Sequence, residues 1–239
     1  MVNIPVIAKR ELNTYFLSLM AYFVLTLFTL ANALFFAIWL RGTSVDPNVV
    51  ISEATGWALF LLVFAVPMIT MRLFSEEVSS GTVETLLTTP VSDTEVVLGK
   101  YMGVLIFGMA MLVPLALECV YVTTLGGVDY GPVASGFLGL YLALAQFLAI
   151  GLFCSSITRI QVGAAIMTFV ILLGAFLLGN LVGESESAIG KVFTYVAPVR
   201  HVGDFLKGVV DSRDLVYFAA STCMFLFLSV KVLELRRWR

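Results

Sequence analysis

Two adjacent carboxylates, Glu76 and Glu77, a single histidine, His201, and one acid within an apolar run, Glu118, are the side chains best placed to do chemistry. Paired glutamates can serve an intramembrane hydrolase as base and water-positioning group. That chemistry asks for an Arg four residues after the second Glu and for histidines within the membrane. Here that position is Gly81, and His201 has no companion. Nucleotide chemistry fails on similar grounds. No G-x-x-x-x-G-K-[ST] occurs, and the Gly-Lys pairs at Gly99 and Gly190 lack the upstream glycine and the hydroxyl that follows. Cys119, Cys154 and Cys223 form no CxxC or Cys/His cluster, so neither a disulfide framework nor a metal site is expected, and all three read as packing residues. What remains is chemistry of charge and contact, and it concentrates in the polar stretch from Arg72 to Lys100.

The elements that position this stretch follow from composition. The chain is 60% hydrophobic and only 13% charged, with a mean hydropathy of +1.01. Such a chain belongs in a bilayer, where about 20 apolar residues cross the hydrocarbon. The expected fold is all-α and integral to the membrane, one transmembrane domain over residues 1–239. Its six spans are read at 15–40, 54–71, 101–125, 133–157, 162–182 and 215–232. The N-terminus lacks the short apolar core and cleavage site of a signal peptide, so no removal is expected.

Lys and Arg set the expected orientation. With the N-terminus inside, the inner segments carry Lys9, Arg10, Arg72, Lys100, Arg159, Lys231, Arg236, Arg237 and Arg239, nine of the 14 cationic residues. Both termini and the 72–100 stretch are therefore expected in the cytoplasm. Ahead of the first span, Ile4, Ile7, Ala8, Leu12 and Tyr15 share one helical face, and Lys9, Arg10 and Asn13 lie opposite. Asn3 and Pro5 suit the start of such a helix. Glu11 interrupts its apolar stripe, which points to a protein partner or an ion pair with Lys or Arg. On the outer side, residues 188–210 read as two interfacial helices broken near Pro198, with Val199, Val202, Phe205 and Leu206 opposing Arg200, Asp204 and Lys207. His201 belongs to this segment rather than to a proton relay. Two readings of Glu118 stand: an interior group touching substrate or Arg200, and a solvated acid near the outer interface. Gly139 with Ala143, and Ala145 with Ala149, allow close helix approach in the fourth span, as do Gly163, Gly174 and Gly179 in the fifth.

Within the 72–100 stretch, Gly81 followed by Thr82, Val83 and Glu84 reads as a helix start. Pro90 ends that helix, and Ser92 with Glu95 forms a capping box that opens the next one. The result is a two-turn helix, Thr82 to Thr88, with Val83, Leu86 and Leu87 on its surface. A helix this short does not persist alone in water, so it is expected either to dock in a groove of a partner or to lie on the lipid surface.

The run E-E-x-x-S-G-T-x-E-x-L-L-x-x-P-V after the second span, together with the N-terminal surface helix and six spans, resembles the permease subunits of ABC-2 type ABC transporters. The segment PVRHVGDFLKGVVDSRDLVYF from Pro198 to Phe218 is similar to the gliding-motility permeases and their multidrug and copper-maturation relatives. The resemblance covers essentially the whole chain. It implies a non-catalytic half-transporter in a prokaryotic inner membrane. This subunit would work with a cytoplasmic ABC ATPase dimer that holds ATP and Mg, and with a second permease, identical or different, in membrane lipid without nucleic acid. It further implies an elbow helix over residues 4–14, including Ile4, Lys9, Arg10 and Glu11, and re-entrant outer helices over Ile189 to Gly208. A coupling helix with its flanks would comprise Glu76, Glu77, Gly81, Thr82, Glu84, Leu86, Leu87 and Pro90. From their positions in the sequence, Glu118, Arg200 and His201 are read as candidate substrate or outer-gate residues, and the resemblance implies that the first and fifth spans face the second permease. Export is the activity so implied. The alternative is an ATP-driven mechanical module of the gliding-motility type that signals to an extracytoplasmic partner without moving a solute.

Overall fold

The computed structural model describes residues 3–42, 46–79, 81, 92–124, 126–181 and 195–237. Within these it is helical without strands. The order is α1 (Ile4–Phe16), α2 (Leu19–Gly42), α3 (Pro47–Thr70), the short α4 (Ser75–Ser79), α5 (Asp93–Thr124), α6 (Tyr130–Ile157), α7 (Gln161–Leu181), α8 (Pro198–Leu206) and α9 (Ser212–Arg237). The helices α2, α3, α5, α6, α7 and α9 are each long and apolar enough to cross a membrane.

Local chemistry explains several boundaries. Asp46 accepts a hydrogen bond from the Asn48 backbone N–H and Pro47 fills the first turn, so α3 begins seven residues before the apolar run read at Ala54. Glu53 does not delay it, because on a helix this side chain points outward and is exposed. Asp129 caps α6 in the same way through the Gly131 N–H. The Ser92–Glu95 capping box forms: the Glu95 N–H donates to Ser92 Oγ and the Ser92 N–H donates to Glu95 Oε2, each at 3.3 Å. From this box α5 runs without interruption to Thr124. Tyr15 and Phe16 complete α1 rather than opening the first span, which starts at Leu19. The second span ends at Thr70, and the last extends from Ser212 to Arg237.

The core lies along α3, α5 and α6. In its most apolar stretch α6 is 72% buried, against 17% for both α7 and α9. Those peripheral helices, with α2, present Leu27, Leu30, Ile38, Ile166, Val170 and Phe227 outward, as helices surrounded by lipid do. Cys119 and Cys154 are buried packing residues, whereas Cys223 is exposed. The end of the bundle opposite α1 is tied by Asn48, which donates to Gly127 O and accepts from the Asp129 N–H. Gly126 and Gly127 adopt positive φ there, a turn that a side chain would strain. At the same end α8 packs Val202 and Phe205 into the core. Its fit depends on Gly139, where a Cβ would stand 2.8 Å from the Phe205 side chain. Of the outer segment read at 188–210, positions up to 194 lie outside the described residues.

Candidate functional site

The sequence-derived site residues separate to the two ends of the bundle. At the α1 end, the inward face of α1 is the one read from the sequence: Ala8 and Glu11 are buried, Ile4, Ile7, Leu12 and Tyr15 are half-buried, and Lys9 and Arg10 are exposed. This face lies on α5, and two glycines one turn apart make the approach possible. A Cβ on Gly99 would stand 2.7 Å from the Ile7 side chain, and one on Gly103 would stand 2.8 Å from Glu11 Cβ and 3.0 Å from Ala8 O. The i,i+4 spacing of Gly99 and Gly103 is a small-residue seam visible in the sequence. Reading Gly99 only against a phosphate-binding motif hides it.

Lys100 is the centre of the site. It is 2% exposed, and its Nζ donates to Glu11 Oε1 at 2.9 Å and to Glu77 Oε1 at 2.8 Å. The same ammonium stands 5.2 Å from the centre of the Phe74 ring, a favourable cation–π placement. Arg10 closes the group from the surface, 3.2 Å from Glu11 and 3.7 Å from Glu77. Burying an ammonium is costly unless it is paired and hydrogen-bonded. Here two carboxylates and a ring provide that pairing. Glu11, which interrupts the apolar stripe of α1, is thereby explained as an ion-pair partner 89 positions from Lys100.

The remaining bonds fasten α4 and the end of α3. The backbone N–H groups of Phe74 and Ser75 donate to Ser155 Oγ on α6 at 3.0 and 3.2 Å, and Ser155 donates to Met71 O. Arg72 pairs with Glu76 at 3.5 Å and donates to Ser18 Oγ in the turn between α1 and α2. Tyr15 donates to Ile69 O at 2.9 Å and stacks on Phe107. Burial, and next the charge of Glu11, raise the Tyr15 hydroxyl well above its ordinary pKa, so it remains a donor. Asn3 occupies the cap position of α1, but its side-chain amide reaches Glu95 on α5 instead of capping the helix. Glu76, Glu77, Lys100, Arg10 and Glu11 thus join α1, α4 and α5 at both roots of the 72–100 stretch. Gly81 adopts φ +73 with open space around it. Thr82, Glu84, Leu86, Leu87 and Pro90, and with them the helix read at Thr82–Thr88, lie outside the described residues.

At the opposite end, Glu118 sits on α5, roughly 27 Å along the helix from Lys100 at 1.5 Å per residue. Its Oε2 is buried and has no hydrogen-bond partner among the described residues. Arg200 and His201 are on α8, half-buried and buried respectively. Among the described residues no group of three or more His, Cys, Asp or Glu side chains could hold a metal ion. The arrangement places a buried ion-pair group at one end of the bundle and the packed helix α8 at the other.

The chain matches the family model described as ABC-2 family transporter protein over residues 6–229. It is 27% identical over 203 residues to the probable multidrug ABC transporter permease YbhS of Escherichia coli strain K12. The same values hold for YbhS of Escherichia coli O157:H7. Each match covers 80% of this chain and 52% of the relative. The chain therefore spans about half the length of the curated relatives it matches. With its six candidate spans and a family match over nearly its full length, the chain belongs to the ABC-2 family of transporter proteins.

Proposed function

We propose that this chain is a permease subunit of an ABC-2 transporter, moved by ATP hydrolysis in a separate ATPase dimer and exporting its substrate across a prokaryotic inner membrane. The observation that carries this reading is the Lys100 group, which ties α1 and α4 to the root of α5 through bonds of 2.8 and 2.9 Å. A pull on the 72–100 stretch would act on all three elements together. The lack of a phosphate-binding loop in the sequence supports placing ATP and Mg in the partner. The Lys/Arg bias supports a cytoplasmic position for both termini and for the docking stretch. A second permease, identical or different, completes the assembly, with α1 as its elbow.

The energetic requirement is explicit. A partner shifts a conformational equilibrium only by binding its two states differently, and driving it from one side to the other takes roughly 5 kcal/mol of difference. Closure of an ATPase dimer on the helix expected at Thr82–Thr88 is the proposed source. In co-expression with the cognate ATPase, Leu86→Asp and Glu84→Lys should leave the permease in the membrane and uncouple ATP turnover from it. Unchanged assembly and unchanged coupling in both variants would reject the docking assignment.

A further inference from the structure

His201 is buried, and both of its ring nitrogens meet acceptors. Nδ1 lies 2.6 Å from Asp214 Oδ1, and Nε2 lies 2.8 Å from the backbone carbonyl of Tyr195. A carbonyl only accepts, so Nε2 must carry a hydrogen. A neutral imidazole has one N–H, and spending it on Tyr195 would leave the Nδ1 lone pair facing a carboxylate at 2.6 Å. The geometry therefore calls for one further proton between His201 and Asp214.

Two features favour keeping that proton on the ring. Tyr217 stacks on the imidazole, with centroids 4.0 Å apart and planes 17° from parallel, a placement that stabilises a cation. Asp214 lies in the first turn of α9, where the helix dipole favours a carboxylate. Its other oxygen, Oδ2, is buried and has no hydrogen-bond partner among the described residues, so the pair would be costly without that further proton. Tyr217 is itself fixed, donating to Val196 O at 2.6 Å and accepting from Gln146 Nε2 at 3.1 Å.

We propose that His201 and Asp214 form a buried proton-binding site that locks α8 onto α9. The ligand is a proton, and its loss sets two lone pairs against each other across the α8–α9 contact. Docking is therefore complete at lower pH and weakens as pH rises. Among the described residues, Asp214 is the only ionised partner on the ring. On α8 itself, Arg200 is half-buried, while Asp204 is exposed and paired with Lys207. Of the elements packed on α8, α7 has no acidic, basic or phenolic side chain, α6 has Tyr130 and Tyr141, and α3 has Glu53, which is exposed. The site stands on its own geometry. Only its exposure to extracytoplasmic pH rests on the orientation proposed above.

His201 is the sole histidine of the chain, so 15N-histidine labelling of the full chain in lipid nanodiscs reports this site alone. At neutral pH both nitrogens should be protonated in the wild type. In Asp214→Asn the amide can donate to Nδ1, so a neutral ring with only Nε2–H is expected at the same pH. A spin label at Asp204→Cys in a Cys223→Ala background should gain mobility as the wild type loses its proton, and should show no such gain when Asp214→Asn is added. An unprotonated nitrogen in the wild type at neutral pH would overturn the proposal. So would two protonated nitrogens in Asp214→Asn, or a label indifferent to deprotonation. Should Asp214→Asn fail to fold, the wild-type titration and Asp214→Glu decide: a carboxylate at this position must keep the ring doubly protonated, and a neutral ring refutes the site.

Discussion

Lys100→Met removes the ammonium at the centre of the α1, α4 and α5 junction while preserving most of the volume of its stem. At about 3 Å and an effective dielectric near 20, each carboxylate contact has a gross attraction of about 5 kcal/mol, much of it offset by desolvation. After the substitution Glu11 and Glu77, with side chains 11% and 20% exposed, face each other without that cation. Removing one partner of a buried pair costs about 3–5 kcal/mol. Arg10 remains within 3.2 and 3.7 Å of the two acids, which places the expected loss at the lower end, about 3 kcal/mol. At about 1.4 kcal/mol per decade this is roughly a 100-fold shift in the opening of α1. Hydrogen exchange of the α1 amides in nanodiscs should accelerate by about that factor. Combining Lys100→Met with Glu11→Gln and Glu77→Gln removes the stranded charges and should recover most of the protection. Unchanged exchange in Lys100→Met would refute the reasoning, as would a neutralised triple variant no better than the single one.

Two glycines in neighbouring spans should respond in opposite directions to alanine. Gly139→Ala drives a Cβ to 2.8 Å from Phe205 and should lower the thermal midpoint through about 1–3 kcal/mol of overpacking. Gly174 has nothing within 4 Å, so Gly174→Ala should raise the midpoint through up to about 1 kcal/mol of helix propensity. Tyr15→Phe loses the bond to Ile69 O, a cost of about 1 kcal/mol measurable by denaturation at neutral pH. Because burial raises the Tyr15 hydroxyl, the folded chain keeps this proton longer than the unfolded one. The stability it contributes is whole below about pH 10 and falls as pH rises beyond that value. Tyr15→Phe should show a smaller alkaline loss.

Hydropathy made all six spans legible, because the length of an apolar run is a local property that the bilayer imposes. The inward face of α1 was legible for a similar reason, since one helical period contains it. The start of α3 was harder to see. Glu53 looks like a boundary in a linear reading, although a helix tolerates a charge on its outward side. The turn at Leu17–Ser18 contains neither Gly nor Pro to announce it. Lys100 pairs with residues 89 and 23 positions away, and no periodicity connects such distances. The same holds for His201 and Asp214, which belong to different helices joined by a turn. Gly99 and Gly103 carry a readable spacing, but only the fold shows that α1 occupies the seam.

The bonds made by α6 have a mechanical consequence. Near one terminus Ser155 binds the chain that leaves α3, and near the other Ser135 donates to Phe205 O of α8 at 2.7 Å. These serines are separated by roughly 30 Å of continuous helix, most of it buried. A helix clamped at both ends and packed along its length cannot bend to absorb a displacement. Any tilt imposed at the Ser155 end would therefore be felt at the Ser135 end, where α8 is attached. Helices α2, α7 and α9 surround that shaft and leave more of their apolar surface outward.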